Sequence, residues 1–222
     1  MSAERLILWR HGRTSYNHEN RWQGQLDVPL DDVGRAQAVS TAAALVATFG
    51  AGPVVVASSD LSRASETAAV LGLPVTLDAG LREVHAGEWQ GLLRDEIVAK
   101  WPEELAAWRR GDDVRPGGGE SRSEVAERAA SAIRRLEAGV PAGGTLVVVG
   151  HGAALRGAMT LLLGLPSAGW STFDVLGNSQ WADLRRRRSG WVLRTYNGAP
   201  PGRADLEGHP AGQVDSAPVP GL

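Results

Sequence analysis

Two histidines in this sequence closely follow apolar runs, and each run is long enough for one buried strand. Arg10-His11-Gly12 follows the run 6–9, and Gly150-His151-Gly152 follows the run 145–149. An imidazole is a nucleophile or a general base, and an adjacent arginine offers a fixed fork of donors that matches the oxygens of an oxyanion. A glycine beside them lets the backbone approach a ligand closely. The first motif therefore indicates a nucleophile beside an oxyanion-binding group, and an incidental histidine in a polar surface loop is the competing interpretation.

Two more polar side chains follow predicted strands. Arg63 comes shortly after the β-branched run 54–57, and Glu83 comes after a predicted strand from Val75 to Leu81. Because the carboxyl ends of parallel strands meet at one edge of a sheet, all of these groups are expected to converge. Two imidazoles, two guanidiniums and a carboxylic acid suit phosphoryl transfer to a nitrogen nucleophile, since the acid can protonate the departing alkoxide. The predicted catalytic set is Arg10, His11, Arg63, Glu83 and His151.

The elements that must position these groups alternate between strand and helix. Alanine-rich or amphipathic segments predict helices at 30–47, 63–71, 95–110, 121–137 and 153–163. Pro102 is expected to begin a second helical piece within 95–110, and Ser121 with Glu124 forms a capping-box pattern. The run 117–119 is expected to be a flexible break, and 182–184 with 191–193 a final hairpin. The alternation predicts a three-layer α/β/α sandwich with a mostly parallel central sheet.

The composition excludes several classes of protein. Of the 222 residues, 43% are apolar and 22% are charged, which is typical of a soluble globular domain. A formal net charge of −2 lacks the broad basic surface of a nucleic-acid-binding protein, and the arginine run 185–188 is interpreted as a solvated hairpin. The chain has no cysteine and no apolar run near the ~20 residues of a membrane span. Without a signal-peptide pattern, the expected location is cytoplasmic, with neither membrane nor nucleic acid as partner.

The last part of the chain differs in character from the rest. The 25 residues from Gly198 hold five prolines and five glycines, with few aliphatic side chains. Such a composition buries too little apolar surface to become ordered. We therefore expect one domain over residues 1–197 and a mostly disordered tail over residues 198–222, in which His209 has no role.

These motifs resemble, in kind and in order, those of the histidine phosphatase superfamily, which includes the cofactor-dependent phosphoglycerate mutases. The resemblance covers residues 5 to 197 and implies a phosphoglycerate mutase-like fold. It implies that His11 becomes phosphorylated and that Glu83, in preference to Glu88, is the proton donor. Arg10, Arg63 and His151 would form the phosphate pocket, without metal or cofactor, and homodimerisation follows by analogy. The residues expected to bind substrate are Gly12, Thr14, Asn17, Gln23, Gly24 and Gly152.

Within this superfamily we expect a phosphatase that acts on a small phosphorylated metabolite. Mutases of the superfamily typically carry a longer insertion between the acid and the second histidine, whereas only one helix pair and the glycine run separate Glu83 from His151 here. A more open site admits water, which favours hydrolysis over a mutase reaction. A non-catalytic scaffold is disfavoured because the chain retains every catalytic group.

Further motifs resemble those of superfamily members that dephosphorylate glucosyl-3-phosphoglycerate. They are the segments 21–27, 58–61, 81–83, 87–91, 118–121 and 177–181. The alternatives are α-ribazole phosphate and a broad range of phosphomonoesters. A glycerate carboxylate requires a positive group beyond the phosphate pocket, and the candidates are Arg13, Arg21, Arg115 and Arg156. Trp22, Trp89, Trp170 and Trp181 are interpreted as packing residues, and His18 and His85 as loop residues.

Overall fold

A six-stranded sheet forms the centre of the computed structural model, which describes residues 3–166, 170 and 172–201. The strands are β1 (Arg5–Arg10), β2 (Val54–Ser58), β3 (Val75–Leu77), β4 (Thr145–Gly150), β5 (Trp181–Arg187) and β6 (Gly190–Gly198). Their order across the sheet is β3-β2-β4-β1-β5-β6. β1, β4, β2 and β3 run parallel, whereas β5 and β6 form an antiparallel hairpin beside β1. The predicted mostly parallel sheet and the predicted final hairpin are therefore confirmed.

Helices cover both faces of this sheet. They are α1 (Ser15–His18), α2 (Asp32–Val46), α3 (Ser62–Ala69), α4 (Arg94–Lys100), α5 (Pro102–Arg110), α6 (Arg122–Ala138) and α7 (Gly152–Leu162). Alternate residues of β1 belong to two different hydrophobic cores. Leu6 and Leu8 pack among residues of α6 and α7. Ile7 and Trp9 pack among residues of α2 and α3. Because side chains alternate across a strand, the two cores lie on opposite faces of the sheet. This arrangement confirms the predicted three-layer sandwich.

Two predicted helix starts are confirmed by their capping contacts. The Ser121 hydroxyl accepts a hydrogen bond from the Glu124 backbone N–H, and the Glu124 carboxylate accepts one from the Ser121 N–H at 2.9 Å. This reciprocal pair satisfies two N–H groups that the first turn of α6 would otherwise leave unbonded. Pro102 is the first residue of α5, where its missing N–H costs no helical hydrogen bond.

The third strand is shorter than predicted. β3 ends at Leu77, and residues 79–81, which the sequence placed in the strand, form a turn of 3-10 helix. The cause is Asp78, whose carboxylate accepts the Gly80 N–H at 2.8 Å and bends the chain away from the sheet. Glu83 therefore does not follow directly on a strand, and a separate turn brings it to the edge of the sheet.

The glycine run is also different from the prediction. Instead of a flexible break, Pro116–Gly118 forms a 3-10 turn that packs on a second 3-10 turn, Gly87–Trp89. A Cβ atom at Gly117 would lie 2.6 Å from the Glu88 nitrogen, and one at Gly119 would lie 1.8 Å from the His85 carbonyl oxygen. These glycines permit close backbone packing, so their role is structural order rather than flexibility.

The predicted tail falls mostly outside the described residues. β6 includes Gly198, the first residue of the predicted tail, and residues 202–222, including His209, are not described. Among the residues that are described, no helix is both long enough and apolar enough to span a bilayer.

Candidate active site

The register of the sheet places the two histidines side by side. Arg10 at the end of β1 pairs with Gly150 at the end of β4, so His11 and His151 leave the sheet at neighbouring positions. Their ring centroids are 5.1 Å apart, and both side chains are buried. Two residues that are 140 positions apart in the sequence are thus brought together by the pairing of two buried strands.

The hydrogen bond of the His11 ring fixes its tautomer. Nδ1 lies 2.7 Å from the carbonyl oxygen of Gly12, and because a carbonyl only accepts, Nδ1 carries the hydrogen. Burial lowers the pKa of His11 well below its ordinary range, and the charges of Arg63 and Arg10 lower it further, against the opposing effect of the Gly12 carbonyl. The ring is therefore neutral near pH 7, with an unshared electron pair on Nε2.

Two buried guanidiniums flank this imidazole. Arg10 donates from Nη1 to the Leu176 carbonyl at 2.5 Å. Arg63 lies in the first turn of α3 and donates to the carbonyls of Leu26 at 2.7 Å and Gly24 at 2.8 Å. Burial lowers the pKa of Arg63 to about 10 and also lowers that of Arg10, but both stay charged at neutral pH. Backbone carbonyls hold these cations at the cavity, where their guanidinium groups can bind an anion.

Several buried polar atoms in this region have no hydrogen-bond partner in the described part of the chain. Among the described residues, neither ring nitrogen of His151 nor Nε of Arg63 has a hydrogen-bond partner. Burial, followed by the charges of Arg63 and His11, lowers the pKa of His151 well below its ordinary range. Buried donors are normally paired, so this set fits a phosphate group, whose oxygens accept these bonds and whose charge favours protonation of His151.

Glu83 faces this region from the other side. Its carboxylate accepts hydrogen bonds from the backbone N–H groups of Val84 at 2.9 Å, Ala153 at 3.2 Å and Ala154 at 3.0 Å. The last two belong to the first turn of α7, which begins directly after His151. The acid is therefore fixed relative to the second histidine, whereas Glu88 is exposed and does not line the cavity.

A cavity of about 420 Å³ opens in front of these groups. Predicted site residues that line it are Arg10, His11, Asn17, Gln23, Gly24, Arg63, Glu83 and Gly152. His151 lies behind His11 and is fully buried. Thr14 is also buried and donates to Gln23 Oε1 at 2.9 Å, so it supports a lining residue.

Gly12 differs from the sequence-based interpretation of its role. A Cβ atom there would lie 2.3 Å from the carbonyl oxygen of Gly34 in α2, so the missing side chain permits contact with a helix rather than with a ligand. Its N–H donates to the Thr67 hydroxyl at 3.1 Å, and its carbonyl accepts from His11. Gly12 therefore holds the loop that carries His11 against α2 and α3.

Asn178 belongs to the motif 177–181, but it is not among the site residues predicted from the sequence. Its side-chain amide donates towards the carbonyls of His11 and Gly12, both at 3.3 Å, and towards Asn17 Oδ1 at 3.1 Å. The adjacent Ser179 has a φ of +59° and donates its N–H to the His11 carbonyl at 3.0 Å. This left-handed conformation at a non-glycine residue is unusual, and it is the signal that marks the turn as important.

The outer part of the cavity combines tryptophans with arginines. Trp22 and Trp108 line it together with Leu93, Ile97 and Leu105, and the arginines are Arg21, Arg94, Arg109 and Arg156. Trp89, Trp170 and Trp181 are buried packing residues as predicted, whereas Trp22 packs edge-on against Trp89 and also faces the cavity.

The four arginines predicted as carboxylate ligands divide into two pairs. Arg21 and Arg156 line the cavity, and Arg156 is only 4% exposed. Arg13 pairs with Asp31 at 2.8 Å, and Arg115 pairs with Glu124, and neither reaches the cavity. His18 and His85 are exposed loop or helix-end residues outside it. No cluster of three or more potential metal ligands occurs within the described part of the chain.

Comparisons with known proteins agree with this geometry. The histidine phosphatase superfamily (branch 1) model matches residues 6–199. A glucosyl-3-phosphoglycerate phosphatase of Mycolicibacterium vanbaalenii is 41% identical over 196 residues, which cover 83% of this chain and 85% of that protein. A metal-independent phosphoserine phosphatase of Arabidopsis thaliana is 37% identical over 199 residues, 86% of this chain and 80% of that protein.

A solved structure extends the likeness to three dimensions. The structure of a mycobacterial glucosyl-3-phosphoglycerate phosphatase in complex with VO3 matches with a TM-score of 0.82 at 40% identity. The match covers 88% of this chain and 100% of that chain. The chain therefore belongs to branch 1 of the histidine phosphatase superfamily and is a phosphoric monoester hydrolase.

Proposed function

We propose that the protein hydrolyses its phosphomonoester through a phosphohistidine on His11. In the first step the Nε2 electron pair attacks phosphorus, the ester P–O bond breaks, and protonated Glu83 gives its proton to the leaving oxygen. In the second step water attacks phosphorus, the P–N bond breaks, and the Glu83 carboxylate takes the proton of that water. Arg10, Arg63 and His151 neutralise the phosphoryl oxygens in both steps.

One observation carries this proposal. The Nδ1–H of His11 donates to the Gly12 carbonyl at 2.7 Å in a neutral, buried ring, which leaves Nε2 as the nucleophilic atom. His151 lacks such an orienting contact among the described residues. This asymmetry favours His11 over His151 as the nucleophile.

The experiment is to trap the intermediate. Rapid mixing with radiolabelled p-nitrophenyl phosphate, followed by denaturation in alkali, where phosphohistidine survives, should leave label on the peptide that contains His11. His11→Ala should abolish both label and turnover, whereas His18→Ala, which removes an exposed histidine, should change neither. Label on His151, or turnover in His11→Ala, would contradict the proposed pathway.

For the substrate, we propose a sugar-acid phosphate, with glucosyl-3-phosphoglycerate first. The activity in the names of the mycobacterial relatives supports this choice. The chemistry of the outer cavity supports it independently, because a glycerate carboxylate needs a cation and a glucosyl ring packs well on tryptophan. Arg156 is a buried cation that lines the cavity, and the partly exposed Trp22 supplies aromatic surface there.

A substrate panel tests this proposal. kcat/KM is compared for glucosyl-3-phosphoglycerate, phosphoserine, α-ribazole phosphate and p-nitrophenyl phosphate. Arg156→Met should lower kcat/KM on the first two substrates about 10- to 100-fold, the effect of about 1.5–3 kcal/mol for a lost charged hydrogen bond, and leave p-nitrophenyl phosphate nearly unchanged. Arg115→Met is the matched control, since Arg115 lies outside the cavity, and should behave as wild type. Equal kcat/KM on all four substrates would indicate a broad-specificity phosphatase instead.

A further inference from the structure

One arginine of α6 binds the backbone of the turn that carries Glu83. The Arg128 guanidinium donates from Nη1 to the carbonyls of Gly80 at 3.1 Å and Arg82 at 3.0 Å, and from Nη2 to the Glu83 carbonyl at 3.2 Å. Three carbonyls within four residues thus bond to one rigid side chain. No other part of the described chain holds this turn through so many backbone bonds from a single group.

Arg128 is itself held by a carboxylate. The Glu120 carboxylate accepts hydrogen bonds from Arg128 Nε at 2.8 Å and from Arg128 Nη2 at 2.7 Å. Both side chains of this two-point ion pair are 25% exposed. Burial raises the pKa of Glu120, but the bonds from Arg128 and from the His85 N–H outweigh this effect, so the pKa is lowered overall. Glu120 therefore stays ionised over the working pH range and fixes the orientation of the guanidinium plane.

The turn requires such support because the sheet does not provide it. β3 ends at Leu77, six residues before Glu83, so no strand pairing fixes the acid. The Glu83 side chain contacts the first turn of α7, while its carbonyl is bonded by Arg128 and by Gln25 Nε2 at 3.0 Å. Contacts at both ends of one residue determine where its carboxylate lies relative to the phosphate pocket.

We infer that Arg128, oriented by Glu120, is a positioning residue for the proton transfer by Glu83. This inference rests on the proposed role of Glu83 as the acid. Arg128 itself does not line the cavity, and its hydrogen bonds reach the site through the backbone of residues 80–83. Its charge also helps to lower the pKa of His151, and Arg128→Lys keeps that charge while it removes the planar fork of donors. A displacement of the acid by about 1 Å is enough to lower a rate about 100-fold, so a small relaxation of this turn would be visible in kinetics.

A dependence on the leaving group separates this role from a general contribution to folding. An alkyl alkoxide needs a proton as it departs, whereas p-nitrophenolate departs without one. A displaced acid therefore lowers kcat/KM, which reports the transfer of the phosphoryl group to His11, for alkyl phosphates and spares it for p-nitrophenyl phosphate. The later attack of water, in which Glu83 is the base, is the same for every substrate and does not enter kcat/KM. A loss of folded protein lowers both rates equally, so the rate on p-nitrophenyl phosphate is an internal control for folding.

The experiment compares p-nitrophenyl phosphate, phenyl phosphate and the alkyl phosphate that the wild type hydrolyses fastest. Arg128→Lys and Glu120→Gln should each lower kcat/KM about 10- to 100-fold on the alkyl phosphate, less on phenyl phosphate, and less than about threefold on p-nitrophenyl phosphate. Glu83→Gln gives the full effect of removing the acid. Arg135→Met is the matched control, because Arg135 also lies on α6 and contacts Asp78 of the same turn, but through a side chain.

The outcomes are distinct. Equal losses on all three substrates, or no loss on the alkyl phosphate in Arg128→Lys and Glu120→Gln, would overturn the positioning role while Glu83→Gln still shows the leaving-group dependence. If Glu83→Gln shows no such dependence, the proposed acid is wrong and the inference about Arg128 is overturned with it. A loss in Arg135→Met equal to that in Arg128→Lys would also overturn it, since any contact with the turn would then suffice.

Discussion

Acidification should destabilise this protein through its two buried histidines. In the folded, ligand-free protein, burial and the neighbouring arginines lower the pKa values of both His11 and His151 well below the 6.5 of an unfolded chain. Below pH 6.5 the unfolded chain therefore binds more protons at these two positions than the folded protein does. By linkage, the free energy of unfolding falls as the pH falls, from pH 6.5 down to the folded pKa values.

The magnitude follows from the number of protons. Each histidine that is protonated only in the unfolded chain contributes about 1.4 kcal/mol of lost stability per pH unit, and the two together about 2.7 kcal/mol per unit. This slope is large beside the 5–15 kcal/mol that stabilises a typical domain, so even one pH unit is measurable. Carboxylates also contribute at low pH, and a difference between variants isolates the histidine effect.

The assay is urea unfolding, followed by tryptophan fluorescence, from pH 7.5 down to 5. Replacing His151 with Gln should reduce the pH slope of the unfolding free energy by about half of the histidine contribution, about 1.4 kcal/mol per unit. His18→Ala is the control and should keep the wild-type slope, since His18 is exposed. An unchanged slope in His151→Gln would mean that His151 is already protonated when folded, and the reasoning about a neutral pair would be refuted. Added inorganic phosphate should reduce the slope in the wild type, because a bound anion favours the protonated ring.

Two further outcomes are expected. Activity should persist in excess chelator, because Arg10 and Arg63 supply the positive charge that a metal ion would otherwise provide, and loss of activity that magnesium or zinc restores would contradict this. Asn178→Ala should lower kcat about 10-fold or more, by the same factor on p-nitrophenyl phosphate and on alkyl phosphates, and should leave KM nearly unchanged. The reason is that the Asn178 amide holds the Gly12 carbonyl, which in turn orients the His11 ring. A change in KM alone would contradict the second expectation.

The nucleophile side of this site could be predicted from the sequence. β1 and β4 are uninterrupted apolar runs, which is typical of central parallel strands that are buried on both faces. A histidine follows each strand directly, and the parallel pairing of the two strands leaves little freedom for where those histidines lie. The meeting of His11 and His151 therefore follows from hydrophobic patterning together with one rule of sheet topology.

The acid side could not be predicted in the same way. Asp78 ends β3 through a local side-chain bond, which competes with the strand at a position where the apolar pattern continues to Leu81. Arg128 and Asn178 reach the site through bonds to backbone carbonyls that are distant in the sequence. Arg128 and Arg82 are 46 residues apart, and Asn178 and Gly12 are 166 residues apart. Every residue has a carbonyl, so such bonds leave no trace in residue types or spacing.

The two sides of the site are also held by different elements. The turn at 177–180 and α2 hold the loop that carries His11, whereas α6 and the first turn of α7 hold Glu83. In the proposed transfer of the phosphoryl group to the enzyme, His11 acts on every substrate, whereas Glu83 as the acid matters only when the leaving oxygen needs a proton. Variants of Asn178 should therefore lower all rates equally, and variants of Arg128 should lower them according to the leaving group. A double variant should show the product of the two effects, because the two residues share no contact and act on different atoms of the transition state.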